Sequence, residues 1–172
     1  MRHHKNKSLL AALLIMPWLA ACSLPTGEAR TEIDIAAPPA HVWQVLTATE
    51  NYGDWNPFLY EVEGTFTPGA TVSIQSNSTQ FGDMSFSPTI LIVEPQKELR
   101  WIGDLPVPGL FQGEHYFLLT PTPTGTRLIH GENFRGLLLW VTDLGAIETD
   151  FEALNQGLKT EAEARASEAR AS

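Results

Sequence analysis

Leu144, Ile147, Phe151, Leu154 and Leu158 recur every three or four residues, drawing one apolar stripe along a single long helix. Polar residues fill its other faces, so this helix must bury one side against another surface. The preceding sequence supplies that surface. Alternating runs at residues 60–66, 71–76, 89–93, 99–102, 112–120 and 126–134 read as strands, and a run at 31–35 reads as the first. Turn signals separate them, at Pro68-Gly69, Glu94-Pro95 and the Pro/Thr/Gly stretch 121–125. Strands that follow one another without crossover helices pair antiparallel. The pattern predicts an α+β fold, an antiparallel sheet with the long helix across its concave face. After the first strand, Pro39 opens a short helix in which Val42, Val45 and Leu46 share a face, and residues 50–58 form a second helical turn. Residues 77–88 read as a polar connection. The apolar stretch 137–141 reads as core at the start of the last helix, with a membrane-facing patch as the alternative.

The only cysteine, Cys22, follows Leu19-Ala20-Ala21. Ahead of it lie three basic residues (Arg2, Lys5, Lys7) and an apolar run from Leu9 to Leu19. That run is too short for a bilayer-crossing helix, which needs roughly 20 residues, and its pattern is that of a cleaved export signal. The segment resembles the signal of bacterial lipoproteins, which implies acylation of Cys22 as the mature N-terminus. The expected organisation is a signal peptide at 1–21, a lipidated N-terminus and polar linker at 22–30, one ligand-binding domain at 31–166 and a polar tail at 167–172. The expected location is the bacterial cell envelope, lipid-anchored. Ser23 in place of Asp favours the periplasmic face of the outer membrane.

About 150 residues remain after such a cut, enough for one domain with its own core. A lone cysteine rules out disulfides within the chain, so apolar packing must hold the fold. The net charge is −9, and the leader holds cations and no acid, so the remainder is more acidic still. Such a surface repels phosphate backbones and argues against a nucleic-acid partner. A monomer is the expected state.

Five stretches carry a resemblance: Pro39-Ala40-His41-Val42-Trp43-Gln44-Val45-Leu46; Trp55-Asn56-Pro57-Phe58; Gly109 through Phe117 with Leu119-Thr120-Pro121; Gly125 through Gly136; and Phe151-Glu152-Ala153-Leu154-Asn155. In this order and spacing they resemble the START/SRPBCC helix-grip superfamily, in its polyketide cyclase/dehydrase-like branch. The resemblance implies a curved antiparallel sheet of about seven strands wrapped around the C-terminal helix, two short helices after the first strand, and an apolar cavity between sheet and helix. Members bind lipids, sterols, polyketides or other hydrophobic molecules, and a few catalyse cyclisation or dehydration. No catalytic signature or cofactor carries over.

Side chains two apart on a strand share a face. With the turn centred near Pro123-Thr124, His115 faces Glu132, Phe117 faces His130 and Leu119 faces Leu128. The polar trio His115, His130 and Glu132 then points into the expected cavity beside apolar neighbours. Three readings stand: the trio orients a ligand, performs acid–base chemistry, or forms a satisfied buried cluster. A metal would lack a fourth ligand in view, and no catalytic residue is assigned. Trp101 reads as cavity wall, Phe151, Leu154 and Leu158 as the helix side of the cavity, and Leu110 and Phe111 as a gate at its mouth. The expected function is a lipid-anchored protein binding a hydrophobic small molecule of lipid, polyketide or aromatic type. The alternatives are a cyclase- or dehydratase-like enzyme using the same cavity and a non-catalytic structural envelope protein.

Overall fold

The chain enters the fold through a ten-residue strand, β1 (Thr26–Ile35), whose alternation buries Ala29, Thr31 and Ile35. The computed structural model describes residues 23–171; the expected signal peptide and Cys22 lie outside the described residues. β1 begins inside the stretch expected to be a linker, because Thr26 to Arg30 find partners in the sheet that polarity alone does not reveal. Next come α1 (Pro39–Thr47), with proline in its first turn where no amide partner is needed, and the single-turn α2 (Tyr52–Trp55).

Seven more strands follow: β2 (Leu59–Glu63), β3 (Ser73–Ser78), β4 (Gly82–Phe86), β5 (Thr89–Glu94), β6 (Glu98–Asp104), β7 (Gln112–Thr122) and β8 (Gly125–Arg135). Among the described residues the sheet therefore has eight strands, where about seven were expected. The addition is β4, read from sequence as polar connection. Only Phe86 of its five residues is partly buried, so pairing to β3, not burial, makes it a strand. Five strands run in the order β1-β8-β7-β6-β5 and three in the order β2-β3-β4. The Gly69 and Val72 amides donate to the Ile90 and Pro88 carbonyls and the Ile90 amide donates to the Ala70 carbonyl, joining the two parts into one curved antiparallel surface.

The final helix, α3 (Leu144–Ala171), starts at Asp143, whose carboxylate accepts the Gly145 and Ala146 amides. It runs 28 residues and buries Ile147, Asp150, Phe151, Leu154, Asn155, Leu158, Ala162 and Ala166 against β1, β8, α1 and α2. It also covers the free edge of β1. Glu148 accepts the Arg30 amide and Glu163 the Ala36 amide, groups that would otherwise offer a pairing edge. Residues 137–141 are not part of α3, and of them only Leu139 packs, partly buried, against the core. They form a separate 3-10 turn (Leu137–Trp140) in which Leu137, Trp140 and Val141 are exposed. Gly136, at φ +141°, breaks the path between β8 and that turn in a conformation open to glycine.

Candidate functional site

The hairpin β7–β8 sets the site. Its register pairs His115 with Glu132, Phe117 with His130 and Leu119 with Leu128, all directed inward toward α3. The polar residues among them are partners of one another. Glu132 Oε2 lies 3.1 Å from His115 Nδ1, and His115 Nε2 lies 2.8 Å from His130 Nε2. His130 Nδ1 lies 2.9 Å from Asn155 Oδ1 on α3. Asn155 Nδ2 donates to Thr31 Oγ1 on β1 at 2.9 Å, and that hydroxyl donates back to the His130 carbonyl at 3.3 Å.

The last acceptor fixes the protons along this chain. A carbonyl only accepts, so Thr31 donates to it and accepts from the Asn155 amide; Asn155 Oδ1 then faces His130, whose Nδ1 must carry hydrogen. The Phe151 carbonyl, a second acceptor beside His130, agrees. His130 Nε2 is then a lone pair receiving His115 Nε2–H; with burial keeping His115 neutral, its Nδ1 is a lone pair receiving a proton from Glu132. This assignment makes Glu132 a neutral carboxylic acid. Burial acts in the same direction, raising its pKa to about 8. Burial lowers His115 to about 3, and burial together with His115 holds His130 well below the usual imidazole range. Glu132 and His115 stand at ion-pair distance, yet the contact is a neutral hydrogen bond.

Aromatic rings enclose the chain. Trp101 on β6 stacks on His115 at 4.5 Å between centroids and 8° between planes. His130 lies between Phe117, at 4.3 Å, and Phe151, at 4.0 Å, both nearly parallel to it. The residues expected to line an open cavity therefore fill the space between sheet and helix with one another. Leu154 and Leu158 are fully buried in the main cluster with Leu99 and Leu128. Two depressions, about 510 Å³ over Glu28, Glu114 and Arg135 and about 420 Å³ over Glu50, Tyr60 and Glu63, lie on other surfaces. No cluster of three metal-ligating side chains occurs among the described residues.

One end of the chain of bonds approaches solvent. His115 and His130 are at most 4% exposed, whereas the Glu132 side chain keeps 19%. Its second oxygen lies over Gly113, where a β-carbon would collide with it. Beyond Gly113, Phe111 packs on Phe134 at 5.5 Å, and Leu110 beside it is partly buried. Leu110 and Phe111, the residues expected at the mouth, thus sit at the Phe134 end of the β7–β8 hairpin. Asn155 and Thr31 were not singled out from sequence. Asn155 had a signal: it stands four residues after Phe151, a polar side chain on the flank of the apolar stripe.

A sequence model of the family described as polyketide cyclase / dehydrase and lipid transport matches residues 26–163. The chain belongs to that family. No curated protein matches this family member. Among solved structures it is similar to protein MLL2253 from Mesorhizobium loti, at 25% identity and a TM-score of 0.61, over 78% of this chain and 96% of that one. Protein CV1439 from Chromobacterium violaceum superposes with a TM-score of 0.65 at 14% identity, over 79% and 97%. A third likeness is to the di-domain ARO/CYC BexL of the BE-7585A biosynthetic pathway, at 12% identity and a TM-score of 0.61, covering 82% of this family member and 50% of that chain.

Proposed function

We propose that this chain is a lipid-anchored envelope protein that takes a hydrophobic small molecule at the Phe111–Phe134 end of the grip, where the neutral Glu132 carboxyl meets the ligand's polar group. One observation carries this reading. A hydrogen-bonded polar chain enclosed by aromatic rings is most open to solvent at Glu132, whose second carboxyl oxygen, not engaged by His115, is an acceptor beside an apolar closure. A pocket with few, placed polar groups in an apolar surround is the usual form of a small-molecule site. The family description, which includes lipid transport, supports the ligand class. The basic stretch, the short apolar run and the residues before Cys22 support the anchor.

The test uses the full chain purified from bacterial membranes. Native mass spectrometry should find one co-purifying apolar molecule per chain, or one added from a panel of fatty acids, isoprenoids and aromatic polyketides. Binding should move the imidazole NMR signals of His115, the partner of Glu132. An empty chain with unmoved imidazole signals across the whole panel overturns the reading.

A second reading rests on Glu132 being an acid still protonated at neutral pH, which suits it to donate a proton in a cyclisation or dehydration. Glu132→Gln separates the two. The amide keeps the donor to His115 and the acceptor oxygen for binding but has no acidic proton, so turnover lost with binding retained identifies an enzyme.

A further inference from the structure

The most exposed large apolar side chains gather at one end of the molecule. Trp140 is 76% exposed, Val141 72% and Val107 59%, with Leu105, Leu137 and Phe81 exposed beside them. They come from three segments that hydrogen bonds tie together. The Leu137 and Leu138 amides donate to the Gly109 and Leu110 carbonyls, and Gln80, next to Phe81, donates to the Val141 carbonyl at 3.0 Å. Residues 105–111 and 136–142 contain no charged side chain, in a chain that is acidic elsewhere.

The N-terminal segment ends at this same place. The Pro25 carbonyl accepts the Gly136 amide at 3.0 Å. Leu24 lies against Gly109, where a β-carbon would stand 3.4 Å from Leu24 Cδ1. At most about 7 Å of backbone separates Leu24 from Cys22. We propose that this uncharged apolar end docks on the bilayer that holds Cys22, so that the tether and the patch together orient the mouth of the grip toward lipid. The proposal rests on the reading of Cys22 as the acylated N-terminus.

The juxtaposition selects a bilayer over other occupants. A tether this short holds the patch within a few ångströms of the headgroups, where tryptophan and aliphatic side chains partition. A single acyl chain binds a bilayer only marginally and each further membrane signal strengthens the hold. An acidic body gains nothing from an anionic leaflet, so any signal beyond the acyl chains has to be uncharged, as this end is. Glu132 and the Phe111–Phe134 closure lie behind it, so a ligand drawn from the membrane would reach the acid without crossing water.

The experiment uses the acylated full chain, reconstituted in phosphatidylethanolamine/phosphatidylglycerol vesicles that carry nitroxide lipids. A fluorophore is placed at Val107→Cys or, at the opposite end of the hairpin, at Thr124→Cys. Quenching at 107 and none at 124 supports docking. Trp140→Ser with Val141→Ser, both solvent-facing, should abolish quenching at 107 while the protein stays vesicle-bound. Equal quenching at both sites, or energy transfer between 107 labels in place of quenching, which marks a second copy on the patch, overturns docking alone. A purified mass without acyl chains at Cys22 overturns the anchor reading, and the docking proposal with it.

Discussion

Glu132 and the two histidines give stability a pH dependence whose sign follows from their shifts. Glu132 holds its proton more tightly folded than unfolded, so its contribution is complete below pH 4.5 and is lost as pH rises toward 8. His115 and His130 resist protonation when folded, so theirs is complete above pH 6.5 and is lost as pH falls, for His115 toward 3. Between 4.5 and 6.5 two histidines oppose one carboxyl, which sets the maximum near pH 6.5. Urea titrations across pH should show limbs falling on both sides, and Glu132→Gln should flatten the alkaline one. Asn155→Leu tests the other end of the chain of bonds. It removes one of the two acceptors of the His130 Nδ1–H, leaving the Phe151 carbonyl, and should cost about 0.5–1.5 kcal/mol, read as a lower Tm with the alkaline limb retained. Strand alternation and the turn position made the facing of His115, His130 and Glu132 legible. They did not disclose that each would use the next as its partner, because that depends on Asn155 arriving from α3, more than twenty residues downstream.

The helix α3 organises the elements around it through polar contacts as much as through its stripe. Buried Asp150 accepts bonds from the Ser78 hydroxyl, the Thr79 amide and the Thr79 hydroxyl, fastening the β3–β4 corner to the helix. Asp150→Ala should release that corner, a loss of about 1.5–3 kcal/mol per bond to a charged group at most. Amide exchange would speed up in residues 76–86 while β7 and β8 stay protected. The sequence made α3 and the long hairpin readable because their apolar residues repeat over many positions. It hid β4, which buries almost nothing, and the first half of β1, whose Thr, Gly and Glu residues look like linker until β8 pairs with them. Residues 137–141 misled for the opposite reason: composition says core, but Gly136 turns them outward before α3 begins.

As a whole, the molecule separates a filled interior from an apolar, uncharged end beside its N-terminus. On the proposed reading of Cys22 as the anchor, Cys22→Ser should release a folded protein into the soluble fraction, with the same Tm as the anchored form. A misfolded product would mean that the anchor takes part in folding. The resemblance foresaw the grip of sheet around helix but implied an open cavity, and the ring-to-ring contacts of Trp101, His115, Phe117, His130 and Phe151 are a matter of side-chain volume that periodicity does not encode. One further property follows from the way β1 lies along β8, residue for residue from Thr26–Arg135 to Ile35–Thr126. Tension applied at the N-terminus runs along the strand axis. It loads the rungs of that ladder in shear, all at once, instead of peeling them apart one by one. A body pulled by its leading residues would thus resist along the β1–β8 ladder, whose rungs set the rate of forced opening.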